Sequence, residues 1–246
     1  MTTFPVQVDL EHRASNVQAA ERAAKIKANA AKRTPGKYDA YIIINNGANK
    51  FSNASGNTVH LYGALIRDGL HELGHLRPFG LMHSGRVSPN DKIDSYGDGT
   101  SFMGRLASYK LTASQLYALG WTEQNKVAQH DLGDPEQTYN IQNIDIKNGD
   151  DLRAVLIPGD DGSDLFLSVV TVQGESVLAL HKPYGGRGTG STRVALFAND
   201  KEYNNLLFRT TSTDGEGHYT VSISRLSEEA SNDDEARKSS GMGPTP

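Results

Sequence analysis

The second half of this chain is cut into short alternating runs. From about residue 128 onward, LRAVLIP, DLFLSVV, SVLALHK, TRVALFA, NLLFR and HYTVSISRL follow one another, separated by Gly, Asp and Asn turns. Alternation with period two sends successive side chains to opposite faces, and runs this short, closed by turn residues, suit strands better than helices. The pattern predicts an all-β, sandwich-like domain over residues 126–227. Residues 1–125 have a different texture and are expected to form a separate domain. With 246 residues, 37% of them hydrophobic, the chain can fill the cores both parts need.

In the first part, residues 15–33 (SNVQAAERAAKIKANAAKR) are rich in Ala and open with an S-x-x-Q capping box at Ser15 and Gln18, which predicts a long helix. YDAYIIIN, Tyr38 to Asn45, reads as a buried strand, and TVHLY, Thr58 to Tyr62, as a second strand near a sheet edge. In ALIRDGLHELGH, Leu65, Ile66, Leu70 and Leu73 recur at helical spacing until Pro78. Residues 84–102 read as loop, and Thr112 to Gly120 as a compact helix with a T-x-x-Q capping box and a glycine stop. This order of helix, strand, strand, helix gives an α/β (α+β) domain. Residues 228–246 are nearly devoid of apolar side chains and read as a disordered tail.

Composition narrows the function classes. Lys+Arg 25 against Asp+Glu 29 leaves no bulk positive charge for nucleic acid or an anionic membrane. Cys 0 removes disulfides, thiolate metal sites and a cysteine nucleophile. No apolar run is long enough to span a bilayer, and MTTFPVQVDLEHR lacks the pattern of a signal peptide.

The chemistry concentrates in His71-Glu72-Leu73-Gly74-His75, an HExxH motif inside a predicted helix. Imidazoles at i and i+4 share a helical face and can hold one Zn²⁺, while the adjacent Glu72 can act as general base. His83 follows after Pro78 and a turn at Gly80 and can supply a third nitrogen, leaving a fourth position for water. The competing reading is a helix end with chance spacing. Three of the 8 histidines falling between residues 71 and 83 favours the metal.

HELGH, then GLMHSG at residues 80–85, then YGDGTSFMG at residues 96–104 resemble the active site and Met-turn of the metzincin zinc endopeptidases, and YGDGTSFMG with Leu119-Gly120-Trp121 is most similar to the gametolysin-like members. The resemblance extends more weakly through LRAVLIPG and VLALHK, over roughly residues 58–225. It implies a metzincin-like catalytic domain over residues 1–125 that binds one zinc through His71, His75 and His83, with Glu72 as catalytic base and acid and Met103 as the floor beneath the metal. It also implies a protein or peptide substrate, with a surface glycoprotein or cell-wall target open, and an extracellular setting. Since no signal peptide is visible, a virion component or an intracellular protein stays open too. Two departures stand out. The family spacing HExxHxxGxxH is here HExxHxxxxGxxH, so the turn delivering His83 must be wider; and the position two beyond Met103, a tyrosine in some relatives, is Arg105. Tyr96 is the substitute transition-state stabiliser.

An extended substrate needs main-chain partners, and Thr58 to Tyr62 is the expected edge for it. His60 reads as structural or substrate-flanking. His12, His130, His181 and His218 read as surface or satisfied core residues, and Arg77 as steering an acidic substrate or complementing the helix dipole. GDDGSD at residues 159–164 looks like an oxygen-rich Ca²⁺ loop but lacks EF-hand spacing, so a hairpin turn is the better reading. Asn53-Ala54-Ser55 is a glycosylation sequon, relevant on a eukaryotic secretory route. The functional expectation is zinc-dependent hydrolysis of peptide bonds. The alternatives are a catalytically compromised structural, adhesion or binding protein on the same fold, and a zinc hydrolase of non-peptide amides or esters.

Overall fold

The computed structural model describes residues 41–45, 52–62, 66–76, 79–104, 109–146, 149–159, 162–185, 189–214 and 217–226. The helix expected over 15–33, the tail at 228–246, His12, Arg77 and Arg105 lie outside them. The chain divides into two compact units, residues 1–82 and 83–246. The change of texture had suggested a boundary at 125/126.

In the N-terminal unit, β1 (Tyr41–Asn45), β2 (Asn53–Ser55) and β3 (Thr58–Tyr62) form one sheet in the order β1-β3-β2. Strand β3 runs parallel to β1 and antiparallel to β2, pairing on both sides. This corrects the edge position expected for Thr58 to Tyr62: the strand is central, and Thr58, Val59 and His60 are buried along it. The sequence hides the reason, since β2 is three polar or small residues with no alternation. Helix α1 (Ile66–His75) packs on β2 and β3, and Gly69 lets it approach closely, its missing Cβ lying 3.5 Å from Leu61 Cδ1.

The C-terminal unit holds the remaining described elements: β4 (Ser84–Val87), β5 (Ile93–Asp94), α2 (Ala113–Ala118), a 3-10 turn (Gln124–Lys126), β6 (Val127–Gln129), β7 (Gln137–Gln142), β8 (Ala154–Ile157), β9 (Leu165–Val172), β10 (Glu175–Tyr184), β11 (Gly190–Phe197), β12 (Lys201–Tyr203), β13 (Leu206–Thr213) and β14 (His218–Arg225). Seven strands form one sheet, β5-β4-β11-β10-β9-β8-β6, and four form another, β12-β13-β14-β7.

The alternation read in the sequence builds the core directly. Val155 and Ile157, Leu165, Leu167 and Val169, and Leu178 and Leu180 meet Tyr139 and Ile141, Leu206 and Phe208, and Tyr219, Val221 and Ile223 from the other sheet. The outer face of the larger sheet is covered too. Phe166 packs with Ala113 of α2, and Ser168, His181 and Ser191 are fully buried, so β9 is buried on both faces over most of its length. Helix α2 starts as its sequence predicts: Thr112 accepts from the Gln115 N–H, the Gln115 side chain returns to the Thr112 backbone, and Gly120 follows at φ +69°. The GDDGSD segment connects the antiparallel strands β8 and β9.

Two expectations are corrected here. Residues 84–102 are not all loop: β4 pairs in parallel with β11 (Ser84↔Ser191) and antiparallel with β5, drawing the segment after His83 into the larger sheet. The fold class is also overturned. An α/β (α+β) metzincin-like catalytic domain needs helices to cover its sheet, whereas the described residues are mostly strand, with two α-helices, one of ten residues and one of six. Polar strands such as Asn53–Ser55 and Lys201–Tyr203, which carry no periodicity, account for part of the difference.

Candidate metal centre

Helix α1 places His71 and His75 four residues apart on one face, and their Nε2 atoms lie 3.1 Å apart. The other nitrogen of His75 is spoken for: Nδ1 is 2.7 Å from the Leu81 carbonyl, which can only accept, so Nδ1 carries the proton and Nε2 presents its lone pair toward His71. That carbonyl is delivered by a closed turn. The Leu76 N–H donates to the Leu73 carbonyl (3.1 Å), Gly80 N–H to Leu76 (2.8 Å) and Leu81 N–H back to Gly74 (2.8 Å), with Gly80 in the left-handed region at φ +59°. Burial pushes the His75 ring toward its neutral form, and the neighbouring His71 adds to this against the opposing Leu81 and Glu72 contributions.

Glu72 sits between the two histidines in sequence and is half-buried. Burial raises its carboxyl above the ordinary carboxylate range; His75 pulls it back and Asp68 adds to the rise. A carboxyl shifted upward in this way takes up a proton more readily than a free carboxylate does.

His83 opens the C-terminal unit, and its backbone is held there. Its carbonyl accepts from the Ser191 N–H (3.3 Å) and from the Tyr184 hydroxyl (2.7 Å). Its ring packs against Tyr96, with centroids 4.0 Å apart. Met103 is fully buried, and its carbonyl accepts the N–H of Ser84, the residue after His83 (2.8 Å).

The other histidines have roles of their own. His60 is buried in β3. His130 Nδ1 is 3.0 Å from the Tyr139 hydroxyl, His218 Nδ1 is 2.9 Å from Asp151, and His181 is buried against Asp98. Sequence reasoning missed Tyr184, whose run carries no chemical motif. It also left Asp98 without a role, although Asp98 lies inside YGDGTSFMG.

Compared with protein-family models, with curated proteins and with solved structures, the chain matches none.

Proposed function

We propose that this chain is a zinc-dependent endopeptidase, with His71, His75 and His83 as metal ligands and Glu72 as the proton-transferring residue. The observation that carries the reading is the His71–His75 pair, whose Nε2 atoms are 3.1 Å apart with His75 Nδ1 fixed by Leu81. Two nitrogens at tetrahedral positions about 2.0 to 2.1 Å from zinc stand about 3.3 Å apart, close to the spacing this helix already holds. A ligating imidazole that donates its second N–H to a backbone carbonyl is the usual outer arrangement around such a metal. The donor set, neutral nitrogens without thiolates, suits zinc with an open coordination position.

Zinc bound there would supply a Lewis acid that makes water a usable nucleophile near neutral pH and polarises the scissile carbonyl. Glu72 would accept the proton of the attacking water and return it to the departing amine. Tyr96, whose ring packs against His83, is the phenol assigned to the developing oxyanion. Strand β3 pairs on both sides, so an extended substrate does not pair with it.

The test is zinc content per chain together with casein hydrolysis. Wild type is expected to carry one zinc and to lose activity on chelation. Glu72→Gln is expected to keep the zinc and lose activity by about 10²-fold or more, the range for a removed general acid–base group. A wild-type chain that takes up no zinc and stays inert when zinc is supplied overturns the reading.

A further inference from the structure

Asp98 is buried completely, and both oxygens of its carboxylate are engaged. Oδ2 accepts from the Ser84 hydroxyl at 2.7 Å and faces His181 Nε2 at 3.1 Å. Oδ1 accepts from the Thr100 N–H at 3.0 Å and its hydroxyl at 2.7 Å, and lies 3.2 Å from Arg193 Nη1. His181 and Arg193 are register partners on β10 and β11, so one carboxylate ties together the 98–104 turn, both of those strands and the start of β4.

Taking a carboxylate and its partners out of water is costly, and a well-packed apolar cluster of the same volume commonly serves stability as well or better. A buried network of this kind therefore points toward geometry. The geometry it sets is at Ser84, whose side chain is bound by Asp98, whose N–H is bound by Met103 and whose carbonyl accepts the Asp98 N–H (3.3 Å). Ser84 is peptide-bonded to His83, and the His83 carbonyl is held in turn by Ser191 and Tyr184. The backbone that follows the Cα carrying the third imidazole is thus fixed, at the His83 carbonyl and at Ser84, by groups of β10, β11 and the 98–104 turn.

We propose that Asp98 is a positioning residue for the metal centre: through Ser84 it fixes the backbone from which His83 reaches the zinc. The proposal rests on the zinc reading above and concerns how tightly the metal is held.

The test measures two quantities on each variant, zinc affinity by competition with a chromophoric chelator and the unfolding midpoint of the metal-free protein in urea. Ser84→Ala and Asp98→Asn are compared with Tyr139→Phe, which removes a buried hydroxyl of the same unit that touches His130 and lies outside this network. Ser84→Ala and Asp98→Asn are expected to weaken zinc binding by about 10- to 100-fold, the usual effect of losing an outer-shell partner. Tyr139→Phe is expected to lower the urea midpoint and leave zinc affinity unchanged. If Ser84→Ala binds zinc as wild type does, or if Tyr139→Phe weakens it equally, the positioning role is wrong even though the zinc site stands. A failure of Asp98→Asn to fold leaves the decision with Ser84→Ala. A wild type without zinc removes the metal reading itself, and this proposal with it.

Discussion

Gly104, which closes the YGDGTSFMG segment, is the position where a single methyl group tests the arrangement around His83. A Cβ built there would stand 2.0 Å from the Asp98 carbonyl oxygen, 2.9 Å from the Asp98 carbonyl carbon and 2.9 Å from the Ser84 carbonyl oxygen. The first distance is a full ångström inside the 3.0 Å that real Cβ contacts respect, and all three atoms are backbone. No side chain can swing aside, so either the turn or β4 must move. Overpacking of a well-packed site costs about 1 to 3 kcal/mol, and a clash with fixed backbone belongs at the upper end. At roughly 2 to 4 °C per kcal/mol for a chain of this size, Gly104→Ala should lower the melting temperature by about 6 to 12 °C. Gly133→Ala, where a Cβ meets nothing within 4 Å, should stay within about 0.5 kcal/mol of wild type. Urea unfolding of the three metal-free proteins reads the difference. A Gly104→Ala variant within about 1 kcal/mol of wild type would refute the packing of the turn against Asp98 and Ser84.

Two further outcomes are expected. Thr112→Ala removes both the acceptor for the Gln115 N–H and a hydroxyl buried against Ser114, and should cost about 1 to 2 kcal/mol, read as a lower urea midpoint. Burial pushes the Asp98 carboxyl up, but His181 beside it and the hydrogen bonds from His181 and Thr100 outweigh this and hold it well below the ordinary carboxylate range. With the folded pKa below the unfolded one, the stabilisation is fully present above about pH 4 to 5 and is lost as pH falls through that range and below, at about 1.4 kcal/mol per unit of depression. Urea midpoints of the metal-free protein between pH 5 and 3 should therefore fall more steeply for wild type than for Asp98→Asn, and parallel slopes would count against the paired carboxylate.

What could be read in the sequence was local. The capping box at Thr112 and Gln115, the glycine stop at Gly120, the six alternating runs and the helical spacing of His71 and His75 each depend on neighbours a few residues away, and each appears where the residues place it. What could not be read depends on distant pairing. Strand β4 exists because Ser84 pairs with Ser191, more than a hundred residues on, and nothing in SGRV announces it. The centrality of β3 depends on Asn53–Ser55, a strand whose side chains give no periodic signal. His181 reads equally as a surface or a satisfied core residue until Asp98 is placed between it and Arg193.

The two-residue extension between His75 and Gly80 illustrates how the departure from the shorter spacing is absorbed. An unconstrained longer loop would leave both ends of the segment free and would tax metal binding with the entropy of ordering it. Here the Gly80 N–H closes on the Leu76 carbonyl and the Leu81 N–H on the Gly74 carbonyl, with Gly80 at a positive φ. The same closure places the Leu81 carbonyl 2.7 Å from His75 Nδ1, which sets the tautomer of that imidazole. The wider connection therefore orders the His75 ring as well as spanning a distance, and its length alone does not argue against the proposed site. An argument against the proposed function would have to come from Glu72 or from the backbone around His83.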